Sequence, residues 1–404
     1  MMTGKNHIIF FVIVGVFLFG VYALENGMSW RKPYPELASV TRYIGSFGEL
    51  SRFFKNIAED KGAPYAFEIL KKSSFPTNID LHLLAHVVGD ELYKQKSIGG
   101  IAFCTNDFRN ACSHSIVVGT LLEFGEGALP RIKEACHKAP GGKGAYTMCF
   151  HGLGHGVLAF YGYDLPQALL FCEKTGTSEY NNREYIECAG GAIMELVSGG
   201  FHDTKAWENA RTIYFSKEDP LYPCSASFMS PTVRPVCYNY ITTRLWEYVG
   251  GSIGYPTAEF FSKSFPICAT ISDSIERKEC YGGFGKEFIG LSLGRDIRLD
   301  SFLHFPKDSL EKINDWCLLA GKEEGVRSCM LSAADSLYWG GENHRSIVIR
   351  FCLVVEEGDD WLGKQCFDRI INNVSFYIHD SVYRSEFCQE IPAHYHEPCK
   401  KSLL

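Results

Sequence analysis

Sixteen cysteines fall into eight short-range pairs along 404 residues, and the second cysteine of most pairs opens a helix-like stretch. The pairs are Cys104/Cys112, Cys136/Cys149, Cys172/Cys188, Cys224/Cys237, Cys268/Cys280, Cys317/Cys329, Cys352/Cys366 and Cys388/Cys399. An even count at regular spacing is the pattern of a disulfide framework rather than of reactive thiols. Recurrence of the same unit marks a repeat, one hairpin stapled across its loop and used again. No Cys-x-x-Cys occurs, so a zinc ribbon does not fit.

Disulfides persist in oxidising compartments, and the N-terminus offers a route to one. After Lys5 the chain is uncharged through Leu24, and Ile8 to Leu24 is an apolar run of 17 residues. That run is short for a membrane span and slightly long for the apolar region of a signal peptide. Val21 and Ala23 satisfy the small-residue cleavage rule. Residues 1–27 are therefore either a signal peptide or a single transmembrane anchor that would hold the protein to a membrane. Either places the remainder outside the cytoplasm. Formal net charge is −7 with no block of like charge, so nucleic acid has no electrostatic footprint here. Asn373-Val374-Ser375 is a glycosylation sequon, relevant only in a host that glycosylates.

Aligned on the second cysteine, the segments from Cys112, Cys149, Cys188, Cys237, Cys280, Cys329 and Cys366 carry apolar residues at three-to-four spacing, and most end in glycine. The intervals of 37, 39, 49, 43, 49, 37 and 33 residues drift as loop insertions in a helical solenoid would make them drift. The first cysteine closes another apolar segment. Leu129-Pro130 and Leu165-Pro166 precede Cys136 and Cys172 by the same distance, and proline suits a first helical turn. The unit reads helix, Cys, loop, Cys, helix. Side-by-side helices bring the two cysteines within bridging reach, and a loop this short gives each bridge about 3 kcal/mol. Asp80 to Tyr93 repeats the second-helix pattern, with Asp80, a good N-cap, in place of the cysteine. Residues 28–75 read as capping helices and 76–404 as the repeat domain, closed by a truncated unit from Cys388. The expected fold is all-α: about eight disulfide-stapled hairpins forming an α/α superhelix, open or closed into a toroid.

The run Gly119-Thr-Leu-Leu-Glu-Phe-Gly-Glu-Gly-Ala-Leu-Pro130, followed by Ile132-Lys-Glu-Ala-Cys136, resembles the Sel-like repeats related to the tetratricopeptide repeat. Gly156 to Pro166 is similar. The resemblance covers two of the eight units. It implies an α/α superhelix that binds partners or ligands on a concave face, and it implies no catalytic residue.

Numbered from its cysteine, or from Asp80, each second helix has its position +2 occupied by His82, His114 and His151 in three consecutive units, and +6 by His86, Val118 and His155. Histidines four apart share one helix face and can chelate one ion. Neighbouring repeats hold equal positions side by side, so five imidazoles are expected in one layer. Asp90 continues the first stripe one turn further. With every cysteine oxidised, the ligands left are imidazole and carboxylate. These suit zinc first, and also copper(II), iron or nickel. Haem iron held by two imidazoles also fits, although no haem attachment motif is present. Packing or hydrogen-bonded core histidines are the plain alternative. Three glycines in His151-Gly-Leu-Gly-His-Gly156 cost about 1 kcal/mol each in a helix interior. They point to close approach of a ligand, to an irregular turn or to tight helix packing.

Downstream, +6 carries Met194, Thr243, Lys286, Asp335 and Asn372, and +7 carries Glu195, Arg244 and Glu287. This stripe reads as a solvated concave surface. Glu195 is either an accessory ligand, a general base or an ordinary ion-paired glutamate. Arg244 and Lys286 offer charge to an anion or to water. No nucleophile elbow, P-loop, dinucleotide fingerprint or His-Glu-x-x-His is present, and no catalytic residue is named by the sequence. Two functions are consistent with these residues. One is an exported protein with a metal site on His82, His86, His114, His151 and His155, supporting hydrolytic or redox chemistry. The other is a non-enzymatic scaffold for a peptide, protein or glycan.

Overall fold

The structure, a computed structural model, describes residues 34–403 except 44, 77–78, 200–202, 216–217, 253–255 and 341–344. The expected leader, residues 1–27, lies outside the described residues. Among those described the chain is all-helical without strands, and no helix is long and apolar enough to cross a membrane.

Helices of seven residues or more are numbered in chain order: α1 (Phe47–Lys61), α2 (Ala63–Lys72), α3 (Leu81–Lys96), α4 (Ala111–Phe124), α5 (Leu129–His137), α6 (Gly142–Phe160), α7 (Leu165–Glu173), α8 (Arg183–Ser198), α9 (Thr204–Tyr214), α10 (Arg234–Tyr240), α11 (Thr242–Tyr248), α12 (Ala258–Cys268), α13 (Ser274–Ser292), α14 (Lys307–Leu318), α15 (Glu323–Gly340), α16 (Arg345–Gly358), α17 (Asp360–Tyr377), α18 (Ser381–Glu390) and α19 (His396–Leu403).

The cap is α1 and α2, with Gly62 at φ 90° between them and Pro64 in the first turn of α2. Asp80 caps α3 as expected, its Oδ1 accepting from the Leu83 amide at 3.0 Å. Leu129-Pro130 and Leu165-Pro166 open α5 and α7. The layer that matters is the stack of second helices. α3, α4, α6, α8, α10, α13, α15 and α17 each pack on the next, and the first elements of the hairpins lie outside them.

All eight disulfides join consecutive cysteines, with Cα–Cα distances of 5.4 to 5.6 Å and sequence separations of 8 to 16. No free cysteine is left, and this oxidised set is that of an extracytoplasmic environment.

Three details differ from the sequence reading. The second cysteine rarely opens its helix: α6 begins at Gly142, seven residues before Cys149, and α13 at Ser274, six before Cys280. Upstream N-caps set several of these starts. Asp273 accepts from the amides of Ile275 and Glu276, and Asp359 accepts from that of Leu362. The fourth pair is also irregular. Cys224 lies among turns beyond α9, and its partner helix is broken at Ile241 into α10 and α11.

The last pair departs from the unit as well. Cys399 bridges to Cys388 of α18, but it starts no second helix of the stack. It lies three residues inside α19, an eight-residue helix entered through the short 3-10 turn Ala393–Tyr395. α19 packs on α17 and α18 instead of extending the row, and Cys399 is fully buried there. The bridge to Cys388 thus pins this short terminal flap against the last hairpin.

The stack curves strongly. Arg298, held by Asp296 at 2.5 Å, donates to the carbonyl oxygens of Ser73 at 2.6 Å and Lys71 at 3.3 Å. Residues 225 positions apart therefore meet, and the cap touches the linker beyond α13. Only part of the stripe expected to face solvent does so. Lys286 lies with its Nζ 3.6 Å from the ring centre of Tyr240 and 3.1 Å from Glu287. Burial lowers the Lys286 pKa. For Glu287, burial works against ionisation, and the charges of Lys286 and Arg109 outweigh it. Of the stripe expected to be solvated, Glu195 and Thr243 are buried, Lys286 and Glu287 are partly buried, and Asn372 is exposed.

Candidate metal centre

The five histidines expected in one layer do meet. His82 and His86 come from α3, His114 from α4, His151 and His155 from α6. The His114 ring stands at the middle. Its centroid is 5.7 and 5.8 Å from those of His82 and His86, and 5.9 and 6.0 Å from those of His151 and His155. His86, His114, His151 and His155 are all buried.

The outward nitrogen of four rings is occupied. His82 Nδ1 donates to the Phe108 carbonyl at 2.7 Å. His86 Nδ1 lies 3.1 Å from Ser115 Oγ. His151 Nδ1 lies 3.6 Å from Glu187 Oε2 and 3.4 Å from the Tyr240 hydroxyl. His155 Nδ1 donates to Glu195 Oε2 at 3.1 Å. Carbonyls and carboxylates only accept, so they fix the proton on Nδ1 and leave Nε2 as a lone pair, the tautomer of an Nε2 metal ligand. Among the described residues, His155 Nε2 and both nitrogens of His114 are buried without a hydrogen-bond partner.

His82, His86 and His114 each bring one nitrogen to a common point, the three lying within 4.8 Å of one another. Nε2 of His82 and Nε2 of His86 are 3.1 Å apart. Two nitrogens bound at ~2.0–2.1 Å to a tetrahedral ion stand roughly 3.3 Å apart, so this pair needs little adjustment to chelate. Without an ion, a proton must occupy the gap, because two lone pairs repel.

Burial disfavours the charged form of three of these rings. Burial, the largest cause, lowers the pKa of His82, puts His114 well below its ordinary range and brings His151 to about 4. Glu187 is held at about 2: burial opposes ionisation, but Arg183 at 2.6 Å and His151 outweigh it.

Asp90 does not join the converging group. Burial pushes its pKa to about 6, and the Ser115 hydroxyl partly offsets that. Glu195 is neither solvent-facing nor turned toward the imidazole nitrogens at the centre. It is 3% exposed, and its second oxygen accepts from the Tyr163 hydroxyl at 2.9 Å. The cysteines enter the site only as staples. Cys112 and Cys149 lie in the helices that carry His114, His151 and His155, whereas Cys399 belongs to the terminal flap and takes no part in it.

Several functional neighbours escaped sequence reasoning. Glu187 sits one place before its cysteine, outside the numbered register. Ser115 follows His114 directly. Phe108 contributes only a carbonyl, from a run of three left-handed residues, Phe108, Arg109 and Asn110, at φ 57, 53 and 63°. Such runs are uncommon and cluster at functional sites. An asparagine just ahead of the second helix, Asn110 before α4 and Asn182 before α8, is the sequence signal that points to these left-handed turns.

The three glycines are explained by packing. α6 is continuous through all of them. A Cβ on Gly152 would stand 2.3 Å from His114 Cδ2, and one on Gly191 would stand 1.9 Å from the His151 carbonyl oxygen. Glycine therefore lets three helices approach closely enough for the rings to meet.

Compared with protein-family models, curated proteins and solved structures, the chain matches none.

Proposed function

We propose that this chain is an exported metalloprotein whose imidazole cluster binds a transition metal, zinc first, at the centre of a curved helical array. The observation that carries the reading is the proton arrangement. Nδ1 of His82 and of His155 donates to a pure acceptor, Nδ1 of His86 meets the Ser115 hydroxyl, Nδ1 of His151 lies near Glu187 and the Tyr240 hydroxyl, and a fifth imidazole lies among them with neither nitrogen satisfied. Neutral buried imidazoles with outer acceptors are what a zinc, copper or iron site requires. Water bound to such an ion would be activated for hydrolysis, and a copper or iron ion would support redox chemistry.

The eight disulfides support export, by a cleaved signal or by an anchor. The bond from Arg298 to the cap supports a ring closing over residues 63–298, with later hairpins continuing beyond it. The Sel-like character of the hairpins is part of the same proposal. A scaffold reading has one observation in its favour. An open cleft is lined by Arg211, Phe215, Arg244, Glu247 and Tyr248, with Arg211 and Arg244 stacked on Phe215.

The test is metal content by plasma mass spectrometry, on protein made in an oxidising compartment, beside a His151→Ala/His155→Ala variant. Stoichiometric metal, reduced in the variant, is expected. No metal in either, after supply of zinc, copper and iron, overturns the reading.

A further inference from the structure

Resting on the metal-site reading, we propose that the centre is dinuclear, with the imidazole of His114 bridging two ions. His82 and His86 hold the first ion, and His151 and His155 hold the second.

Five imidazoles are too many for one tetrahedral ion. They divide naturally. The pair from α3 lies on one side of His114 and the pair from α6 on the other, with four centroid separations between 5.7 and 6.0 Å. Within each pair the rings are closer, at 4.6 and 5.1 Å. Each pair has its own outer neighbours at Nδ1, the Phe108 carbonyl and Ser115 hydroxyl on one side, Glu187 and Glu195 on the other.

His114 differs from the other four. They lie beside groups that hold Nδ1. His114 has no partner on either nitrogen, although it is 1% exposed. A mononuclear site would use one nitrogen and leave the other buried and unpaired, with its hydration lost and nothing in return. Two ions use both. The first ion on one nitrogen acidifies the opposite N–H, as a bound cation does for its ligands. The second ion then takes that nitrogen, and the proton leaves to solvent.

The two sides are unequal. Only the His82/His86/His114 nitrogens converge within 4.8 Å among the described residues. The first ion therefore enters a formed site, and the second must draw His151 and His155 inward. Binding is expected in two steps, tight and then weaker.

The test is copper(II) titration of the full exported protein, read by bound metal per chain and by electron paramagnetic resonance. About two ions per chain are expected, with the signal growing to one equivalent and then falling as the bridged ions couple. His86→Ala and His155→Ala should each leave one uncoupled ion, and His114→Ala should abolish coupling. One ion per chain, unaffected by His155→Ala, overturns the dinuclear inference while the metal reading stands. Two uncoupled ions, indifferent to His114→Ala, overturn the bridge. No bound ion overturns both. The two pair variants decide the matter even if His114→Ala fails to fold.

Discussion

Glu195 and His155, 40 positions apart, meet in a buried contact in which the carboxylate Oε2 accepts the Nδ1 proton at 3.1 Å. The same carboxylate is fixed on its far side by Tyr163. A negative charge at Nδ1 makes Nε2 a better donor to a metal. Replacing an acceptor of this kind typically lowers metal affinity 10–100-fold. Glu195→Ala is expected to do so, and to destabilise the fold by about 1–3 kcal/mol because Tyr163 and His155 lose their partner. Competition against a chelator of known affinity measures the first effect. Unchanged affinity would remove Glu195 from the site.

Gly152→Ala and Gly144→Ala are opposite tests within one helix. A methyl at Gly152 collides with His114, whereas one at Gly144 meets nothing within 4 Å. Overpacking should destabilise Gly152→Ala by about 1–3 kcal/mol and reduce metal binding. Helix propensity should make Gly144→Ala neutral or up to about 1 kcal/mol more stable. Thermal melts and metal content on both report the contrast. Equal behaviour would mean that α4 and α6 do not approach as closely as the rings require.

Metal-free stability should fall on acidification between about pH 6.5 and 4. Burial lowers His151 to about 4, so within that window the unfolded chain binds a proton that the folded chain excludes. Stability therefore rises with pH there, by up to roughly 3 kcal/mol for this group. His82 and His114 are shifted the same way by burial. Asp90 opposes them. Its pKa is raised by burial to about 6, so the folded state binds the extra proton between 3.8 and 6. Asp90→Asn should steepen the loss. Urea unfolding with a chelator present at several pH values gives the slope, and a flat profile would contradict the burial of these imidazoles.

The disulfides should separate by position. Removing Cys317–Cys329, whose sequence separation is 12, is expected to cost about 3 kcal/mol and leave metal content unchanged. Removing Cys136–Cys149 should cost as much and also weaken metal binding, since His151 follows Cys149 by two residues. Loss of metal in both variants would mean that the array couples its ends to the site.

The sequon at Asn373 should remain unmodified in a glycosylating host. Asn373 is 8% exposed, and its amide donates to Asp335 Oδ1 at 2.6 Å. Intact mass after expression there decides it, and a glycan mass would show that Asn373 is modified before α17 packs.

The sequence by itself determined the hairpins, the staples and the histidine register. These depend on spacing along a chain, and helical periodicity converts spacing into a face. The pairing of all sixteen cysteines was legible because each partner is near in sequence, and so was the equivalence of His82, His114 and His151. Asp80 was legible as a cap for the same local reason. What only the tertiary structure decided is which groups surround those histidines. Glu187, Tyr240 and the Phe108 carbonyl come from separate units, and Lys286 reaches Tyr240 because α10 and α13 pack on each other. Where Cys399 sits was decided the same way, since its bridge is local but the resting place of α19 on α17 is not. Curvature is the sum of small packing rotations at every helix pair, set by contacts such as Gly152 on His114 and Gly191 on the His151 carbonyl. No single segment encodes that sum, so members of a stripe that reads as solvated along the chain, such as Glu195 and Thr243, end up buried while Asn372 stays exposed.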